Sequence, residues 1–292
     1  MRPFRIAGVS FWPDLWKPKK NLKEALRHIR RAAEMGAQVI ATPEGGLDGY
    51  ITRDLGKHKI TPADKGTKGY ARRLAEFRAK QVALARQIKE SCIPALREEA
   101  ARLGVYLFAN TLDLRGAESV YNTTFVIDPR GDVAGKYDKI HAAFEVVNRL
   151  GRGHHVFPTP LAPIGVLICA DRQFPEAPRS VALAGARVLI INSYGMWGEG
   201  ANERFIRQRA YENGLFVLFC HPGESVLVSP EGRIIAATCG WENVVVREID
   251  PREAVGRGVF GTPAMAGTYR ILGNRAAYRR RNREKKKPPP KK

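Results

Sequence analysis

Ala162-Pro163-Ile164-Gly165-Val166-Leu167-Ile168-Cys169-Ala170-Asp171-Arg172-Gln173-Phe174-Pro175-Glu176 is an apolar run of buried-strand length that stops at a cysteine. A polar, charged turn follows, and Pro175-Glu176 opens a helix. The pattern predicts a thiol at the carboxyl end of a central strand, beside a helix N-terminus whose N–H groups and dipole favour a thiolate. A lone cysteine ending an apolar strand also reads as a small core residue. The remainder of the chain decides between the two.

Strands and helices alternate on both sides of that stretch. Arg5 to Ser10, Gln38 to Thr42, Val105 to Asn110, Tyr121 to Asp128 and Val133 to Tyr137 read as strands before it. Val188 to Asn192, Leu215 to Cys220, Ser225 to Ser229, Arg233 to Ala237 and Asn243 to Ile249 read as strands after it. Asp128-Pro129-Arg130-Gly131 and Pro230-Glu231-Gly232 are turns. Leu22, Ala25, Leu26, Ile29, Ala32 and Ala33 form an apolar helix face, with Asn21 as its expected cap, Glu24 as the capping-box partner and Gly36 as the stop. Residues 51–91 are polar, basic and helical in pattern, with breaks near Pro62 and Gly66, and Pro94 suits the first turn of a helix ending near Gly104. Later helices are expected from about Pro175 to Ala184 and from Glu199 to Asn213. Such βα units mixed with hairpins predict an α/β protein with mixed sheets and helices outside.

With 292 residues, 44% of them hydrophobic, the chain has ample length for a sizeable core. No 18-residue apolar stretch occurs, so no membrane insertion is expected. The N-terminus reads as a first strand with no apolar leader segment, which predicts a cytoplasmic protein. Cys92, Cys169, Cys220 and Cys239 lie far apart without any C-x-x-C pair, which argues against a metal cluster or a disulfide framework. The formal charge is +20, of which residues 279–292 contribute +8 from nine cations and one anion. That Lys/Arg/Pro tail cannot pack a core and is expected to be disordered from about 279. It offers a weak polyanion contact, although a solubilising tail is the plainer reading because no aromatic residue interleaves its charges.

Two further residues give the cysteine a chemical context. Hydrolysing an amide with a thiol requires a base for the thiol proton, a positive partner for the oxyanion, and proton transfer to the leaving amine and from water. Glu44 follows a short apolar strand in a Gly-flanked turn, and Lys139 follows another strand in Tyr137-Asp138-Lys139-Ile140-His141. Taken singly, a solvated turn residue is the plainer reading of each. Together with Cys169 they resemble the nitrilase superfamily of carbon–nitrogen hydrolases. Pro43-Glu44 with Gly49-Tyr50 is similar to that family's glutamate motif, Tyr137 to His141 to its lysine motif, and Ile168 to Glu176 to its cysteine motif. Supporting segments appear in order: Tyr121-Asn122-Thr123 through Gly131, Gly185-Ala186, Arg209-Ala210-Tyr211-Glu212-Asn213, and Ser225 through Gly232.

The resemblance spans roughly residues 5 to 250 and implies a four-layer α-β-β-α sandwich, with a hydrolase domain over 1–265, a C-terminal extension over 266–292, and pairing into a homodimer or larger homo-oligomer. It implies Glu44 as general base, Lys139 as oxyanion and amine partner, Cys169 as nucleophile, and Glu145 as a second glutamate, although a solvated helix glutamate reads equally well at that position. No metal or organic cofactor is needed. The implied substrate is a small amide or N-carbamoyl (ureido) compound. Ala170, Arg172 and Gln173 in the turn, and Asn192, Ser193 and Tyr194 after the next strand, are the candidate substrate contacts. Met196 and Trp197 offer an apolar wall, or simply pack the core or a subunit contact. Arg172 either binds a substrate carboxylate or pairs with Asp171 or Glu176. The turn lacks the Trp-Glu that follows the cysteine in true nitrilases, which disfavours nitriles. Competing functions are a basic nucleic-acid or anionic-surface binder on a hydrolase scaffold, and acyl transfer to an amine.

Overall fold

Two six-stranded sheets lie face to face in a computed structural model that describes residues 1–142, 144–195, 200–239 and 243–254. In the first sheet, β1 (Phe4–Val9), β2 (Val39–Ala41), β3 (Tyr106–Arg115), β4 (Ser119–Ile127) and β5 (Val133–Asp138) lie in chain order, and β12 (Val244–Ile249) closes the other edge beside β1. In the second, β6 (Val156–Phe157), β7 (Ile164–Ile168), β8 (Val188–Asn192), β9 (Phe216–His221), β10 (Glu224–Val228) and β11 (Ile234–Cys239) follow one another. Each sheet has a parallel centre, β1-β2-β3 in one and β7-β8-β9 in the other, flanked by antiparallel strands. The expected mixed sheets are therefore present, and βα crossovers account for their parallel cores.

One apolar cluster lies between the sheets, where Phe4, Ile6, Phe108 and Val126 of the first meet Val166, Ile168, Ile190 and Leu218 of the second. Close approach is required there. A Cβ on Gly8 would lie 2.9 Å from Cβ of Ser225 and 3.1 Å from Sγ of Cys220. A second cluster packs Ala7, Val9, Ile40 and Leu107 against α1 (Pro18–Glu34), α2 (Tyr70–Gln87) and α3 (Ile93–Leu103). Helices α4 (Glu176–Leu183) and α5 (Ala201–Asn213) cover the second sheet. The result is the predicted four-layer α-β-β-α sandwich.

Several local expectations shift. Helix α1 starts at Pro18, whose missing N–H suits a first turn, so Asn21 lies inside the helix and is not its cap. The Asn21 side chain instead bonds the backbone of Asp14 and the carbonyl of Leu47, fastening the helix to the loop after β2. Residues 51–91 form two short 3₁₀ turns and then α2, which runs through a π turn at Ile88–Cys92 into α3. Met196, Trp197, the proposed boundary at 265 and the tail from 279 lie outside the described residues. No helix among the described residues is long and apolar enough to cross a membrane.

Candidate active site

Four strand ends, two from each sheet, converge on one spot. After β2, Thr42 and Pro43 lead to Glu44, whose N–H donates to the Ser193 carbonyl beyond β8 at 3.2 Å. The turn needs glycine next: Gly45 has φ +64°, and a Cβ there would fall 2.4 Å from the Tyr50 nitrogen. Its N–H donates to Asn110 Oδ1 at 2.7 Å. After β5, Lys139 donates its N–H to the Asn122 carbonyl at 2.9 Å. After β7, Cys169 takes φ +44°, a left-handed conformation that a non-glycine residue holds only when its surroundings enforce it. Asn192, at the end of β8, pins the sheets together: it accepts from Thr124 Oγ1 at 2.8 Å and donates to the Thr42 carbonyl at 2.7 Å.

The side chains meet inside this frame. Lys139 Nζ donates to Glu44 Oε1 at 2.7 Å and also to Glu145 Oε1. Asn122 Nδ2 donates to Glu44 Oε1 at 2.9 Å and reaches both Glu145 oxygens at 3.3 Å. Tyr50 OH and Asn148 Nδ2 complete the shell of Glu145, at 3.3 and 2.6 Å. Glu44, Lys139 and Glu145 are all buried. Burial, then the Cys169 charge, drives the Glu44 carboxyl well above the usual carboxylate range, and Lys139 offsets only part of this. Burial works against the Lys139 ammonium, but Glu145 and Glu44 more than compensate and keep it charged. Glu44 Oε2 finds no partner among the described residues, so this group has one carboxyl oxygen free to handle a proton.

Cys169 faces that cluster from the second sheet. Burial pushes its thiol up, but the charges of Lys139 and Arg172, with hydrogen bonds at Ser193 and Gly195, bring it down to about 7. Cys220, equally buried without such cations, is pushed well up. The expected helix N-terminus does not serve here. A 3₁₀ turn, Cys169–Gln173, follows the cysteine and α4 begins only at Glu176, so side-chain cations do what was expected of the dipole.

Of the other candidates, Ala170 and Ser193 are buried beside the thiol, and Tyr194 stacks on Tyr50 at 4.9 Å with Arg53 over its ring at 5.1 Å. Asn192 bonds the scaffold through its amide. Gln173 sits against α5, its carbonyl accepting from Arg209 at 3.1 Å. Arg172 pairs with neither Asp171 nor Glu176; its guanidinium turns to Cys169, Ser193, Gly195 and Asn202.

Asp171 has a different task that sequence reasoning missed. Its carboxylate accepts from Tyr137 OH, from the N–H and Nδ1 of His141, and from the Ile168 N–H, at 2.8 to 3.0 Å. It thereby locks the segment carrying Lys139 to the segment carrying Cys169. Asn122, which bridges the two carboxylates, was also missed, although it stood within a quoted supporting segment. The only available signal was that both are polar residues inside otherwise apolar or motif-bearing runs.

A low-pKa thiol, an ammonium and a proton-poised carboxyl in one buried spot suit nucleophilic attack on an electrophilic carbon with stabilisation of the resulting oxyanion. Comparisons with known proteins agree with the fold and chemistry. A family profile described as carbon-nitrogen hydrolase matches residues 5–255. The omega-amidase NIT2-B of Xenopus laevis is 28% identical over 276 residues, covering 86% of this chain and 90% of that protein. A protein named nitrilase from Pyrococcus abyssi is 28% identical over 266 residues, covering 84% and 89%. Among solved structures, an amidase from Nesterenkonia sp. superposes with a TM-score of 0.70 at 22% identity, covering 96% of this chain and 95% of that one.

Proposed function

Because the chain belongs to the carbon–nitrogen hydrolase family of the nitrilase superfamily, we propose that it hydrolyses a small linear amide through a thioester on Cys169. The observation that carries this reading is the buried group in which Glu44 and Glu145 share the Lys139 ammonium beside the Cys169 thiol. The proton of the thiol moves to Glu44, and the thiolate attacks the amide carbon. Lys139 stabilises the tetrahedral oxyanion, helped by the Ala170 N–H. Collapse breaks the C–N bond; the proton on Glu44 goes to the leaving nitrogen, and ammonia or an amine departs. Glu44, now a carboxylate, takes a proton from water as the oxygen attacks the thioester. The carboxylic acid leaves and the thiolate returns. Glu145 positions Lys139 and keeps it charged.

Two observations favour linear amides over N-carbamoyl amino acids. Arg172, the residue that would bind the carboxylate of such a ureide, is fully buried and engaged with protein acceptors. The relative from Xenopus laevis is an omega-amidase by name. Ammonium release from equal concentrations of linear amides, N-carbamoyl amino acids and nitriles tests this. The expected kcat/KM is at least about tenfold higher on the best linear amide than on any member of the other two classes. A ureide or nitrile turned over faster would overturn the assignment.

A second reading, polyanion binding, has one structural support. A groove of about 720 Å³ beside α2 is lined by Trp16, Lys57, Lys59, Arg72, Phe77 and Lys80. Residues 51–89 carry eleven Lys or Arg against three Asp or Glu. Lys57 and Arg72 pair with Asp54 and Glu76, whereas Lys59 and Lys80 bond no carboxylate among the described residues. On this reading, Lys59→Glu with Lys80→Glu weakens binding of a fluorescein-labelled oligodeoxythymidylate by about fivefold or more and flattens its salt dependence. Unchanged affinity in that variant removes the groove from consideration.

A further inference from the structure

Among the described residues Arg172 is the largest of the fully buried side chains, at 0% exposure, and its guanidinium contacts include no carboxylate. Its Nη1 donates to Cys169 Sγ at 3.4 Å and to Ser193 Oγ at 3.2 Å. Its Nη2 donates to the Gly195 carbonyl at 3.2 Å and to Asn202 Oδ1 at 2.6 Å. The Phe219 ring lies 5.4 Å from the guanidinium carbon. The nearby His221 is held down to about 4, first by burial and then by Arg172, so it stays neutral and adds no charge. Ser193, Gly195, Asn202, Phe219 and His221 are all neutral. Among the described residues the sulfur is the one contact that can carry a negative charge, and an uncompensated buried cation is costly.

Charge balance points the same way. Among the described residues, Glu44, Lys139, Tyr50 and Arg172 are ionisable groups whose charges couple to Cys169, and Glu145 joins the set through its contact with Lys139. With Tyr50 neutral, two cations face the two glutamates and the thiol. The set is neutral when one proton is shared between Cys169 and Glu44. Lys139 sits on the carboxylate side of that proton and Arg172 on the sulfur side.

We infer that Arg172 is a second catalytic cation, the counter-ion of the Cys169 thiolate, and that in the resting enzyme the shared proton therefore waits on Glu44. This rests on the hydrolytic roles proposed above for Cys169 and Glu44. It gives the reaction a simple charge pattern. In the resting state the negative charge is on sulfur, beside Arg172. When the thioester forms and the Glu44 proton leaves with ammonia, the charge moves to Glu44, beside Lys139. When water is split, a proton returns to Glu44 and the charge returns to sulfur. Each location has its own cation, and the buried total never changes. Arg172 is accordingly a determinant of nucleophile ionisation and not a hook for substrate carboxylates.

The test reads the thiolate directly. Full-length protein is alkylated with iodoacetamide across pH 5–10, and the rate at Cys169 is followed by peptide mass. The wild-type rate rises with pH through an inflection near 7. In Arg172→Met the inflection moves to about 8 or higher, so the rate at pH 6 falls about tenfold or more. Arg172→Lys keeps a cation and falls between the two. Asn202→Asp keeps the guanidinium and its packing but gives it a competing carboxylate, so it moves the inflection upward as well; it decides the matter if Arg172→Met fails to fold. An unmoved inflection in Asn202→Asp overturns the inference while leaving the hydrolytic reading intact. Continued amide hydrolysis by protein fully alkylated at Cys169 overturns the hydrolytic reading itself, and this inference with it.

Discussion

Cys169→Ala abolishes ammonia release from every amide the parent hydrolyses, a loss of about 10⁴-fold or more, while the protein still folds. The loss is large because no other group among the described residues can form the covalent intermediate at this spot. Removing a nucleophile from a coupled set removes nearly all of the chemistry the set performs. Cys220 and Cys92, the other buried free thiols among the described residues, cannot substitute: burial pushes both upward, and neither has a cation hydrogen-bonded to it there. The fold survives because the substitution deletes one atom, Arg172 Nη1 keeps Ser193 Oγ as an acceptor, and release of the Glu44 proton keeps the buried set neutral without the sulfur. A stability change within about 2 kcal/mol is expected. An ammonium assay with a urea midpoint on the same preparation checks both halves.

Glu44→Gln has the second largest effect and a more informative one. An amide replaces the carboxylate without changing its shape. Its oxygen still accepts from Lys139 Nζ and Asn122 Nδ2, and its NH₂ takes the place of Oε2, which has no partner to lose among the described residues. The protein therefore folds, but it lacks the proton carrier of both half-reactions. Amide turnover falls by about 10² to 10⁴-fold. An activated ester, whose leaving group needs no proton, still acylates Cys169 because Lys139 and Arg172 support the thiolate. Deacylation then stalls for want of a base, and the thioester accumulates. A stopped-flow trace with p-nitrophenyl acetate shows a burst of one equivalent followed by little turnover. Steady turnover at the parental rate would mean that Glu44 is not the base.

The sandwich was legible because its strands are short apolar runs bounded by turn residues, and because Glu44, Lys139 and Cys169 each stand where such a run ends. Position at a strand end carries information, since parallel strands deliver their carboxyl ends to one side of a sheet. What failed to read was local bonding. Asn21 looked like a cap because caps and interior asparagines differ only in where the helix begins, and Pro18 moves that point four residues earlier. Arg172 had Asp171 and Glu176 close in sequence as natural partners. The left-handed Cys169 and the 3₁₀ turn instead send Asp171 toward Tyr137 and His141, and Arg172 toward the sulfur and Asn202. Glu145 was ambiguous because a loop separates it from Lys139; the closure of that loop, with Asn122, Asn148 and Tyr50 around the carboxylate, is a tertiary event.

Peptide mass mapping of the Glu44→Gln protein, quenched in acid after exposure to p-nitrophenyl acetate, tests the central claim most directly. The account predicts one acetyl group on the peptide containing Cys169, labile to hydroxylamine as a thioester is, and none in the Cys169→Ala, Glu44→Gln double variant. An acetyl group on another residue, or a Cys169 peptide that stays unmodified through a full burst, would contradict it.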